Sequence, residues 1–195
     1  MLTLKNRIRT TLLFRRNRHE QIAEHQDRIV IQTLSIADID ALSEINPKIN
    51  RTLEIEKLNA GQRCYVARFN GALAHYTWVQ DSGGHLIKGA GRTRPASDGN
   101  FWINSCHTAE WARGNRIYPI VLCQVMQDYF AHGYNTAWIY TDESNAASVK
   151  GITSAGFQFT SRLRAFSVRD LDIPLPQLFD GHRGAFKSAS ADALS

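Results

Sequence analysis

The sequence predicts an α/β (α+β) chain: a mixed, mostly antiparallel central sheet with flanking helices. Three observations carry that expectation. Asn70-Gly71 lies between two apolar runs, residues 63–69 and 72–79, and both residues tolerate the positive φ of a tight hairpin. From residue 100 onward a strand, a helix and a second strand follow one another, which calls for at least one parallel pair. Strand-like runs also outnumber helix-like ones, in the order β-α-α-β-β-β-α-β-α-β.

Each element has its own local reason. Residues 28–34 form a β-branched run and read as the first strand. Ser35 or Asp38 then offers a cap for a helix through Ile45, with Pro47 beyond its end, and a second helix covers 51–59 before Gly61. Residues 81–99 are rich in Gly, Ser, Asp and Arg and read as a loop, with a short strand at 86–88. Residues 100–107 are a strand. Tyr118, Val121, Leu122, Val125, Met126 and Tyr129 repeat at helical spacing, and His132-Gly133 closes that helix. A short buried strand over 137–140 precedes a helix capped by Asp142, Ser144 or Asn145 and stopped at Gly156. A last strand, broken or bulged, covers 157–168.

Composition narrows the class. The chain has 195 residues, 43% of them hydrophobic and 21% charged, as expected of a globular protein with a sizeable core. No apolar run has the length of a membrane span, and Thr10–Phe14 is too short for a secretory signal, so a cytoplasmic location is expected. Cys64, Cys106 and Cys123 are scattered without metal-ligand spacing, and neither a disulfide framework nor a metal is expected. Residues 1–28 hold seven basic and three acidic side chains, +4 of the net +5. They read as a basic N-terminal extension, residues 29–168 as the folded domain, and residues 169–195 as a tail.

The chemistry concentrates in Thr108-Ala-Glu-Trp-Ala-Arg-Gly-Asn-Arg-Ile-Tyr-Pro119. The start of a helix leaves amides without partners and carries partial positive charge, so a turn delivering several amides to one point accepts an anion. Arg113 through Tyr118, with Gly114, Asn115, Arg116 and Ile117 between them, lie at such a junction, and the two arginines add full charges. Pro119 fits a first helical turn.

In this order of elements the sequence resembles the GNAT family of N-acetyltransferases. The stretch 108–119 is similar to that family's pyrophosphate loop: Arg113 matches its first position, while Arg116 and Tyr118 stand where small residues are usual and Gly114 fills an intermediate place. Asn145-Ala-Ala-Ser-Val-Lys-Gly-Ile-Thr-Ser-Ala-Gly-Phe157 is similar to the second family signature, a helix that opens on Asn and ends in Gly-Phe. The resemblance covers residues 29–168. It implies an acetyl-CoA-dependent N-acetyltransferase fold, with acetyl-CoA as co-substrate. Cys106, His107 and Thr108 would lie at a splayed strand end, and Asn145 and Ser148 at the second helix. Arg116 is read inside the helical turn, at negative φ, where its amide remains available.

The resemblance also exposes a departure. The family's tyrosine acid falls by register on Ile152, which has no proton to give. Tyr118 and Ser148 are the nearest replacements; His107, His75 and Glu110 are candidate bases. Cys106 shows no paired base that would make it a nucleophile. A small-molecule amine, such as an amino sugar, is the expected acceptor, bound by residues 46–62 and 81–99. These carry Asn46, Lys48, Asn50, Arg51, Glu54, Glu56, Arg92, Arg94 and Asp98. Trp78, Trp102 and Trp111 are candidates to stack on a flat acceptor. Two alternatives remain: a catalytically weak acyl-CoA-binding protein, and a nucleic-acid module using residues 1–28, for which there is no strong case. A second copy of the chain, in a homodimer, is the other partner the reading allows.

Overall fold

The structure, a computed structural model, describes residues 7–18, 28–96, 99–168 and 171–175. In chain order the elements are β1 (Arg7–Asn17), β2 (Ile29–Thr33), α1 (Leu42–Ile45, entered through a 3-10 turn over Ile36–Ala41), α2 (Arg51–Asn59), β3 (Arg63–Phe69) and β4 (Ala72–Gln80). They continue with β5 (Gly84–Ile87), β6 (Arg92–Pro95), β7 (Asn100–Thr108), α3 (Ile117–Ala131), β8 (Thr136–Asp142), α4 (Ala146–Ser154), β9 (Gln158–Val168) and β10 (Leu171–Pro174). Eight strands form one sheet in the order β10-β9-β1-β8-β7-β4-β3-β2. Every neighbouring pair is antiparallel except β7 and β8. The mixed, mostly antiparallel sheet expected from the sequence is therefore present.

Local chemistry sets most boundaries. Asn70 and Gly71 both take positive φ in the β3–β4 turn, 50° and 84°. Asn50 caps α2 by accepting the Leu53 amide, and Asn145 caps α4 by accepting the Ser148 amide at 3.0 Å. Ser35 does not cap its turn; its hydroxyl donates instead to Asp38 at 2.6 Å.

Strand alternation sorts the core onto two faces. Leu12, Phe14, Tyr65, Ala67, Phe101 and Ile103 face α3 and α4. On the opposite face, Cys64, Val66, Tyr76 and Trp78 pack under α1 and its preceding turn. The β5–β6 hairpin covers Leu13, Trp102 and Leu163 there, so the segment read as a loop with one short strand is a two-stranded lid on the sheet.

The largest departure is at the N-terminus. Arg7–Asn17, assigned from charge to a basic extension, is a strand between β8 and β9. Leu12, Leu13 and Phe14 are buried on both faces, so the run lacks the polar alternation that would have marked it. Arg16, counted among the basic surface residues, is 5% exposed and donates to the Ala155 carbonyl at the end of α4, where a cation meets the negative end of the helix. The segments 1–6 and 19–27 of that reading lie outside the described residues. So does most of the expected tail, although its start, Leu171–Pro174, pairs with β9.

A separable extension and a sheet strand respond differently to deletion. Removing residues 1–17 is expected to abolish cooperative thermal unfolding followed by circular dichroism, and Leu13→Ala to lower stability by about 2–4 kcal/mol in urea titrations. An unchanged melting temperature after the deletion would refute the strand assignment.

Candidate active site

Between Asn104 and His107, four residues of β7 lie against three of β4, Tyr76–Trp78. The extra residue is a β-bulge, with Ser105 at φ 47°. Parallel pairing of β7 with β8 runs from Asn100↔Thr136 to Ile103↔Ile139 and stops there. Beyond it β7 stays with β4 as far as Thr108, and β8 stays with β1 as far as Asp142. The two strands thus part, and their facing edges offer peptide groups with no strand partner.

His75 fixes one side of this opening. It is fully buried; Nδ1 lies 2.7 Å from the Thr108 hydroxyl and Nε2 2.8 Å from that of Thr77. Burial, with His107 nearby, lowers its pKa to about 3. It is a neutral clamp on the β7 terminus rather than a base open to substrate, and this corrects its candidacy as a catalytic residue.

After Thr108 the chain makes a 3-10 turn, Glu110–Ala112, then turns at Gly114 with φ 85°. Arg116 caps α3 at φ 56° and ψ 17°. The expectation that Arg116 sits inside the helix at negative φ is therefore wrong: it occupies the left-handed region, which costs a non-glycine residue about 1–2 kcal/mol. The amides of Ile117 and Tyr118 follow in the first helical turn, where no carbonyl four residues back is available. The Asn115 side chain braces the turn by donating to Ala112 O at 3.1 Å. Arg113 and Arg116 are exposed at its rim. Glu110 is also exposed and pairs with Arg113 at 3.5 Å, so it does not join the other candidates at the strand opening.

Tyr118 leans from α3 toward α4. Its ring lies 5.5 Å from that of His75 and packs on Gly151, where any Cβ would collide with it. Its hydroxyl is beside Ser148 and Cys106, and burial raises its pKa well above the ordinary value. Ile152, at the family's acid position, is fully buried in the core. The fold therefore gathers Tyr118, Ser148 and Cys106, the first two being the replacements named from sequence. Burial pushes the Cys106 thiol up to about 11, and it stays protonated near neutrality.

His107 is half-buried. Its Nε2 donates to Ile45 O at 2.8 Å, which leaves Nδ1 with a lone pair, and its ring stacks on Tyr76 at 5.6 Å. Tyr76 accepts a hydrogen bond from Asn46 at 2.7 Å. Both line a cleft of about 550 Å³ that also reaches Ser105, α2 and Lys88. Of the expected acceptor residues, Asn46, Lys48, Asn50, Glu54 and Glu56 line this cleft. Arg51 instead pairs with Asp40, and Arg92 bonds Leu175 O beside β10; Asp98 lies outside the described residues. Ser105 and Tyr76 were missed. The only sequence signal was the break from apolar Phe101–Ile103 to polar Asn104-Ser105.

Solved structures share this arrangement of strands and helices. An acetyltransferase from the GNAT family of Colwellia psychrerythraea aligns at a TM-score of 0.63 and 15% identity, over 84% of this chain and 57% of its own. A GCN5-related N-acetyltransferase from Sphaerobacter thermophilus gives 0.60 and 17%, over 86% and 55%. An N-acetyltransferase from Staphylococcus aureus gives 0.53 and 21%, over 68% and 85%. The chain has a GNAT fold. It spans little more than half the length of the first two of these proteins. No protein-family model and no curated protein matches the sequence.

Two measurements follow from the geometry of this GNAT-fold site. Arg116→Gly relieves the left-handed strain and should leave stability unchanged or raise it by up to about 1 kcal/mol in urea, whereas Arg116→Val should lower it by a similar amount. Second, His75 and His85 are both neutral when folded, His85 being lowered to about 4 by burial and by Lys88. Groups with lowered folded-state values contribute stability that is full above their unfolded value and is lost as pH falls toward the folded one. Stability should therefore decline as pH drops from 6.5 toward 4, with unfolding taking up two protons. His75→Gln should remove one proton from that dependence.

Proposed function

We propose that the protein transfers an acetyl group from acetyl-CoA to a primary amine of a small molecule. One observation carries this reading: beyond the point where β7 parts from β8 the chain runs through the Gly114–Arg116 turn into α3, whose Tyr118 hydroxyl lies beside Cys106 of the parted strand. The strand edges suit the amide-bearing pantetheine arm, and the amides of Ile117 and Tyr118, with Arg113 and Arg116, suit its pyrophosphate.

Each step then has a residue. A backbone amide at the end of β7 polarises the thioester carbonyl. The amine enters from the cleft lined by Tyr76 and Ser105 and attacks that carbon directly, so no acyl-enzyme is needed. Its proton passes to Nδ1 of His107, the free nitrogen of a ring oriented by Ile45 O and Tyr76. As the carbon–sulfur bond breaks, Tyr118 gives its proton to the departing thiolate and Ser148 supports the phenolate formed. The raised pKa of Tyr118 keeps it protonated until that moment. His75 and Thr77 hold Thr108, and through it the end of β7, in place.

The test follows release of free CoA thiol from acetyl-CoA over a panel of amines. Tyr118→Phe should lower kcat by about 10²-fold or more while leaving acetyl-CoA affinity close to wild type, and His107→Gln should act on kcat in the same direction. The burial of Ile152 at the family's acid position favours a second reading, an acyl-CoA-binding protein of low turnover. Tight acetyl-CoA binding with no thiol release on any amine would select it.

A further inference from the structure

We infer that the acceptor is an amine that also carries an anionic group, a carboxylate or a phosphate, held in the cleft by Lys48, Lys88 and the Tyr76 hydroxyl. The inference rests on the acyl-transfer reading for the fate of the amine, but the anion site stands on separate observations.

The cleft presents donors in excess. Glu54, 7% exposed, is already neutralised by Lys57, whose ammonium lies 3.0 and 2.8 Å from its two oxygens and also sits over the Trp78 ring. That leaves Lys48 and Lys88 on the cleft against a single carboxylate, Glu56. Neither lysine has a carboxylate partner among the described residues. Lys48 comes from the loop before α2 and Lys88 from the β5–β6 hairpin, so two elements far apart in sequence bring like charges to one cavity. Both are exposed, and an anion entering the cleft would meet two ammonium groups there.

Tyr76 adds a neutral donor. It is 5% exposed, and its oxygen accepts from Asn46, so its own O–H remains to be given to something in the cleft. Ser105, the bulge residue beside the strand opening, lines the same cavity and marks the end where the amine meets the thioester.

A neutral amino sugar finds less here. Trp78 and Trp102 are 0% and 2% exposed and belong to the core, and Trp111 stacks on Phe69 outside the cleft lining. Tyr76 is the only aromatic residue on the cleft among the described residues.

The experiment compares matched pairs of amines: 6-aminohexanoate against hexylamine for carboxylate, and glucosamine 6-phosphate against glucosamine for phosphate. At least one anionic partner should exceed its neutral counterpart in kcat/KM by about tenfold. That ratio should shrink several-fold in Lys48→Gln and in Lys88→Gln, chiefly through KM, and should fall as salt rises from about 0.05 to about 0.3 M. Binding is read apart from turnover by titrating the tyrosine and tryptophan fluorescence with the acetylated products, 6-acetamidohexanoate, N-hexylacetamide, N-acetylglucosamine 6-phosphate and N-acetylglucosamine. Anion preference in binding with no turnover on any amine would keep the anion site and sink the acyl-transfer reading. Equal or better performance by the neutral partner of both pairs, or a preference that both lysine variants leave intact, would overturn the proposal.

Discussion

The extra residue at Ser105 is the constraint on which the site depends. A regular β7 would continue its parallel ladder with β8, and the sheet would have no opening. One inserted residue at φ 47° turns the strand, ends the ladder at Ile103↔Ile139 and leaves two edges facing each other. An opening in a sheet exposes peptide groups that a folded protein normally pairs, so it persists only where the flanking strands are pinned from outside. Here His75 and Thr77 pin β7 through Thr108, and β1 pins β8.

That pinning gives the N-terminal strand its place in the argument. β8 would be an edge strand beyond Ile139 without β1, and a frayed edge at this point would dissolve one wall of the opening. β1 also carries Arg16 to the end of α4, the helix whose Gly151 faces Tyr118 and whose Asn145 cap positions Ser148. A segment that charge alone assigns to the periphery thus holds both the sheet and the helix that frame the site.

In the proposed reaction Tyr118 takes over, from another element, the place of a missing acid. Ile152 fills the core where the family's acid would stand, and Gly151 beside it leaves a space that a ring from α3 enters. The hydroxyl reaches Ser148 and Cys106 from that side. Because the proposed donor comes from the first turn of α3, the same helix start would provide both the phenol and the amides for an anion. This ties Arg116's left-handed φ to the position of Tyr118 two residues on.

The sequence by itself determined most elements between residues 29 and 168, because their signals are local; the β5–β6 hairpin and β10 escaped it. Asn70-Gly71 requires a tight turn, Asp142, Ser144 or Asn145 supplies a cap for α4, and the 3.6-residue repeat of α3 is set by side chains one turn apart. It also located the turn before α3 as a candidate anion site, placed His107 at the strand end and named Tyr118 and Ser148 as candidate acids. Tertiary structure alone decided the rest. A strand buried on both faces has no alternation to read, so β1 became legible only when β8 and β9 closed on it. The bulge depends on register against β4, which no residue of β7 encodes alone. Burial decided that His75 is a clamp, and packing against Gly151 decided which way Tyr118 points. Lys48 and Lys88 share a cleft only because the hairpin folds back over the sheet.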